Sequence, residues 1–406
     1  MDPMTHSHPL ASVPVVPPFV GSKLKGLAAG LMVLGLLAWI ALVLTDANRA
    51  WSSFLAGLMV PVTLSLAAMF FIAIHRICGA RWTTPIRRVM EGLTSGLPLA
   101  FVAFGIFAIF GAKYVYDWHN LAGTPEHHHL FKTEAKALWM TPARWTATGA
   151  IFIALWILLR DRLISASLAQ DAGASIHRPH LRWSLVFVAV LAYTFTLFAW
   201  DLLLSLNVQV VSAMWGIYCF VGALQAFLAI LALVLHALRR GHLSQVVREH
   251  TLHDVGTWLM GWSCIWAYIT FAQYLIIAFA NIDEETQFFL MRFQHGYGWL
   301  YVAEIGLRLV VPFFLLLSQS TRTNRPFVNL AGVAILLGAA LELVWVTLPA
   351  AFPNGWPVAF FLPELAVILG FAGGYLLLAI HFWKRHGLIP AGDPDLVATI
   401  NAEHQH

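Results

Sequence analysis

FLAGLMVPVTLSLAAMFFIAIH, residues 54–75, contains no Asp, Glu, Lys or Arg. About 20 apolar residues in helical form cross ~30 Å of hydrocarbon, so this stretch is long enough to span a bilayer. Nine further runs of the same kind flank it. The ten predicted spans lie near 26–44, 54–75, 92–110, 145–160, 184–203, 212–237, 255–279, 298–318, 327–348 and 358–382. The longest wetter connection, Gly111 to Arg144, separates the third span from the fourth. The expected fold class is therefore an all-α integral membrane protein of about ten transmembrane helices.

Composition agrees. The 406 residues are 59% hydrophobic and 11% charged, against about 45–50% and ~25% in a soluble domain. A mean hydropathy of +0.74 leaves too little charge to cover a water-soluble surface, and it excludes a disordered chain. The net charge of +4 reads as membrane topology rather than as a nucleic-acid surface. With the N-terminus inside, 17 Lys and Arg fall on the cytoplasmic side and 6 outside, with Arg308 within the membrane. Both termini are then cytoplasmic: a tail over 1–25, a membrane domain over 26–383 and a second tail over 384–406. The Pro-rich N-terminus carries no cleavage signal after its first apolar run, so no signal peptide is expected.

Cys78, Cys219 and Cys264 form no CxxC or CxxCH, which argues against covalent haem, a self-contained iron–sulfur cluster and a disulfide framework. No P-loop, GxGxxG, HExxH or nucleophile elbow stands in a suitable context. His75, His236 and His381 sit at cytoplasmic helix ends, which does not suit bis-His haem, and no metal site is expected. The run His127-His128-His129 reads as solvated loop, because consecutive side chains diverge.

A faint repeat links FFIAIHRICGARW (70–82) with LALVLHALRRGHL (231–243), each placing a histidine beside arginine. Asp201 and Glu342 then stand at matching places, and 54–203 and 212–348 become repeat units. Two parallel four-helix bundles with two flanking helices are the expected arrangement.

Ionisable residues inside a membrane cost about 2.5–3.5 kcal/mol each on insertion scales, so they are candidate functional groups. Glu304 and Arg308, four apart, share a helix face and can pair. Counting inward at ~1.5 Å per residue puts Glu304, Glu342 and Glu364 at a similar level in the outer half, with Asp201 near them. A desolvated carboxyl binds its proton more tightly than one beside a guanidinium, a difference that suits a proton relay or a hydroquinone's proton acceptor. The plainer alternative is a helix-locking pair with interfacial carboxylates around it. His253-Asp254 opens the seventh span, where an acid favours the helix dipole; a cytoplasmic proton inlet with His75 and His236 is the functional alternative. His295 could reach the carboxylate level from outside. Gln273 and Tyr274 could bond a quinone carbonyl or a neighbouring helix.

LHDVGTWLMGWSCIWAYITFAQYLIIAFANIDEETQFFLMR (252–292), followed by HGYGWL (295–300) and PFFLLLS (312–318), resembles the second NrfD-type (polysulfide-reductase-like) membrane subunit of bacterial alternative complex III. FFIAIHRICGARW and AWDLLLSL (199–206) are similar to further segments of that family, which usually carries Leu-Pro where Ile282-Asp283 stands here. The resemblance implies a multi-pass subunit of the bacterial inner membrane with no redox cofactor of its own. Its partners would be a sister NrfD-type ten-helix subunit, an iron–sulfur/molybdopterin-like peripheral subunit and c-type cytochrome subunits, with a terminal oxidase a further candidate. Such a complex oxidises quinol and reduces cytochrome c or the oxidase. The chain would brace the quinone-binding sister, and its buried carboxylates could conduct protons. Two alternatives stand beside this reading: a stand-alone secondary transporter, and the quinone-binding anchor of a simpler oxidoreductase. Transporter sites favour helices broken near the midplane, and Pro61 is the one candidate interruption.

Overall fold

The structure, a computed structural model, describes Val13, Phe19 and residues 21–124, 126, 130–131, 133–171, 173, 177–239, 241–352 and 361–402. His127-His128-His129 lie outside the described residues. Among those described there is no β-strand, and nine helices are long and apolar enough to cross a membrane. The chain is an all-α integral membrane protein.

The expected fourth span lies within a longer helix, α5 (Pro142–Asp171, 30 residues). Arg144 and the run Arg160-Asp161-Arg162 bracket its apolar stretch, so it stands apart from the nine by composition. At 1.5 Å per residue it is ~45 Å long.

Helix α1 (Ser22–Thr45) leads to α2 (Ala47–Ile77), whose Asp46 N-cap accepts from the Arg49 amide at 3.1 Å. Between Ala50 and His75 almost every residue of α2 is buried. An all-round apolar helix needs neighbours on every side, and α2 packs against α1, Leu97–Ile106 and His177–Leu202 together with later helices. It runs through Pro61 without a break.

The interruption falls instead in the third span, as α3 (Arg87–Leu93), a turn at Thr94–Gly96, and α4 (Leu97–Ile106). Ser, Thr and Gly favour such a turn, and Pro98 suits the first turn of the resumed helix. Two carbonyls beside the break are bonded from one other helix, Leu362–His386. Trp383 Nε1 donates to Val89 O at 3.1 Å, and Tyr375 Oη donates to Leu93 O at 2.5 Å. Gly96 is required here, because the Tyr375 ring lies 2.5 Å from where its Cβ would stand. A π-helical turn, Phe107–Gly111, ends the span.

Helices α2, α3–α4, α5 and α6 (His177–Leu202) close one four-helix ring. The second ring comprises α7 (Trp215–Leu238), α8 (Glu249–Ala280), a helix pair and α12. Between α8 and the pair lies α9 (Asp283–Gln294). The pair is α10 (Gly298–Ile305) and α11 (Val311–Leu316), joined by a π-turn at Gly306–Val310, and α12 is Arg325–Thr347. The rings meet through α2, α6 and α7. Helix α13 (Leu362–His386) flanks them together with α1. Their crossing is close because Gly35 and Gly370 face each other; a Cβ on Gly35 would lie 2.7 Å from the Ala366 carbonyl.

Antiparallel succession puts the start of α1 and the end of α13 on one face, here the N face, and the 116–141 connection on the other, the loop face. The C-terminal stretch differs from the expected tail. Residues 387–402, ending in α14 (Asp395–Ala402), fold back on the first ring, burying Leu388, Leu396 and Ile400.

Candidate functional site

Arg308 sits in the π-turn Gly306–Val310. Such turns carry one extra residue and re-aim the side chains around them. Four residues on, Pro312 has no N–H for the Arg308 carbonyl. Gln225 Nε2 on α7 supplies the missing donor at 2.8 Å, so the backbone defect ties two helices together.

The Arg308 guanidinium is fully enclosed by the second ring. Its Nε donates to Gln225 Oε1 at 2.8 Å and its Nη2 to the Gly222 carbonyl at 3.1 Å. Its Nη1 pairs closely with Glu342 Oε2 on α12 and stands 3.8 Å from Glu304 Oε1. Trp266 on α8 covers its face at 4.2 Å. Gln225 Nε2 also donates to Ser263 Oγ at 2.9 Å. Every helix of the ring thus contributes to one polar centre. Small residues admit it: a Cβ at Gly338 would lie 2.5 Å from Arg308 Cγ. Gly338→Ala is accordingly expected to destabilise by about 1–3 kcal/mol, the usual range for overpacking, measured by thermal unfolding in detergent.

Glu304 is completely buried, and neither carboxyl oxygen has a hydrogen-bond partner among the described residues. Two carboxyls enclose one guanidinium. Isolated charge in a low-dielectric interior is expensive, and the cluster is neutral when the two carboxyls hold a single proton between them. Among the described residues, no group of three or more His, Cys, Asp or Glu is placed to hold a metal ion.

The first ring carries a parallel device. Asp201 on α6 accepts from Arg144 Nη1 on α5 at 2.5 Å and from Trp139 Nε1 at 3.0 Å. In both rings the arginine comes from the third helix of that ring and its acid from the fourth. Here, however, the carboxylate is fully partnered and lies at the loop-face end. Asp201 also lines a mainly apolar cavity of about 480 Å³, together with Trp139, Tyr193, Leu197, Trp200 and Val211. Arg308, Glu304 and Glu342 line none of the cavities described.

The other expected groups are dispersed. Glu364 on α13 forms a two-pronged pair with Arg49 on α2, outside the Arg308 cluster. Asp254 pairs with His250 at 3.2 Å and lies 3.8 Å from His253, at the partly exposed N-face start of α8. His75 and His236 are buried, and the Nδ1 of each faces the carbonyl four residues earlier, Phe71 at 2.7 Å and Ala232 at 2.9 Å. Gln273 accepts at 3.0 Å from Ser212, in the loop that leads into α7 rather than on a helix. Tyr274 packs edge-on against Phe289.

Sequence reading missed Gln225 and Ser263, which look like ordinary polar residues in apolar helices. Arg292 is a further buried cation. It donates to the carbonyls of Trp345 and Val346 at the C-terminal end of α12, a place that favours positive charge. Burial lowers its pKa to about 9. No protein-family model and no curated protein matches the chain.

Proposed function

We propose that this chain is a membrane subunit of a quinol-oxidising electron-transfer complex, and that the Glu304–Arg308–Glu342 centre exchanges protons within it. The observation that carries the reading is the charge count of two carboxyls to one guanidinium, with Glu304 lacking a hydrogen-bond partner among the described residues. A site of that kind gains and loses one proton with little rearrangement. The stretch that resembles the NrfD-type family supports the same reading, since Ser263 and Trp266 from it build the wall around Arg308.

The excess of basic residues at the N face favours a cytoplasmic location for both termini. His253 and Asp254 then lie at the cytoplasmic end of α8, the helix that also carries Ser263. Electron carriers would belong to partner subunits, c-type cytochromes and an iron–sulfur protein, and a sister ten-helix subunit would be the further membrane partner.

A second reading has one specific observation behind it. The cavity beside Asp201 has room for a flat ring with an apolar tail, which would make this chain itself quinone-binding. Purification from native membranes in mild detergent tests both. Co-purifying c-type haem and iron–sulfur subunits are expected; a colourless chain that purifies alone overturns the complex reading. Quinone extracted from wild type and absent from Leu197→Trp would favour the second reading over the bracing role.

A further inference from the structure

Beneath the N face of the first ring lies a second buried ionic centre, separate from the Arg308 cluster. Glu91 on α3 is completely buried. It accepts from Arg88 Nη1 at 2.5 Å and Arg76 Nη2 at 3.2 Å, and Arg87 Nε stands 3.8 Å away. Arg160 reaches across from α5 to hold the broken turn, donating to Thr94 Oγ1 and Ser95 Oγ at 3.0 Å each. A cavity of about 10 Å³, touched by Arg76, Glu91 and Thr94, adjoins them. That is room for at most one water molecule.

The C-terminal segment closes this centre from the N face. Arg88, itself fully buried, donates its second Nη to Asp171 Oδ2 at 2.5 Å, and Asp171 Oδ1 accepts the Gly392 amide at 2.9 Å. Arg87 pairs with Asp393. Gly392 is seated so tightly that a Cβ would overlap the Gln170 carbonyl. Leu396 and Ile400 anchor the far end, both with no exposed surface. At the near end, Gly387 has φ +76° and open space around it, a backbone suited to hinging. Docking supplies Asp393, which joins Glu91, Asp171 and Asp161 as the carboxylates set against Arg76, Arg87, Arg88 and Arg160.

We infer that residues 387–402 form a hinged strap that gates the access of water, and of protons carried by water, to Glu91. With the strap down, the broken turn of the third span is sealed under two charge links and two apolar anchors. With it lifted, Arg87 loses Asp393, Asp171, already partly exposed, loses the Gly392 amide, and a path opens to Thr94, Ser95 and Glu91. The inference does not depend on the proton role of Glu304.

Hydrogen–deuterium exchange of the full chain in lipid nanodiscs tests it. The amides of Thr94, Ser95 and Gly96 make only turn or side-chain bonds, so their protection reports on sealing. In a protein lacking residues 388–406, their exchange is expected to quicken by about tenfold or more, while α7 stays at the full-length rate. Gly392→Ala, which displaces the strap and leaves its anchors intact, is expected to give a smaller rise at the same amides. Unchanged exchange over 92–96 in the truncated protein overturns the gate. If truncation unfolds the ring, Gly392→Ala decides: faster exchange in the strap without faster exchange at 94–96 overturns it equally.

Discussion

Arg308→Ala is expected to lower stability by about 3–5 kcal/mol, the range seen when one partner of a buried ion pair is removed. The variant strands Glu342 and takes from Glu304 its nearest cation. It also leaves Gln225 Oε1 without its donor, and an unsatisfied buried group carries its own desolvation penalty. A cavity under Trp266 adds to the loss. The effect belongs to the broken pairing more than to the absent arginine. Arg308→Met combined with Glu342→Leu removes both charges and keeps the volume, so it is expected to recover most of the stability. Intrinsic tryptophan fluorescence during thermal unfolding in detergent reads both. A melting temperature for Arg308→Ala within about 2 °C of wild type would mean that water already reaches the cluster.

The bilayer makes part of this structure legible in one dimension. Hydrocarbon thickness demands long apolar runs, and those were readable from the sequence. The broken third span was not, although Gly92, Thr94, Ser95, Gly96 and Pro98 all stand in it. Averaged hydropathy hides a turn whose neighbouring carbonyls are bonded by Tyr375 and Trp383, nearly three hundred positions away. Depth counting put Glu364 at the level of Glu304 and Glu342, and depth says nothing of which neighbour a side chain meets. Arg49 on α2 meets it first. The four-residue spacing of Glu304 and Arg308 assumed α-helical geometry. The π-turn and Pro312 instead turn Arg308 toward Gln225 and Glu342, leaving Glu304 at 3.8 Å. Arg87 and Arg88 read as topology markers, and their burial follows from Glu91 and the folded-back C-terminus.

Glu304→Gln is expected to separate folding from proton movement. The amide matches the carboxyl in size, and the carboxyl it replaces has no hydrogen bond to lose. Arg308 and Glu342 then balance permanently, and the remaining cost is that of one buried amide, about 1–3 kcal/mol, below the loss expected of Arg308→Ala. What disappears is the group able to hold the shifting proton. Proton release coupled to quinol oxidation, followed with a pH dye in proteoliposomes of the intact complex, is expected to fall by about 10²-fold or more. Glu342→Gln probes the same balance from the other side. It makes Glu304 the sole counter-charge to Arg308, so Glu304 must stay ionised, and proton release should again be lost, now with reduced stability. A coupled loss in both variants with contrasting stability is the signature of one shared proton. Wild-type proton release from Glu304→Gln would instead make Glu304 a buried counter-charge, and the step would pass to the Asp201–Arg144 pair beside the 480 Å³ cavity.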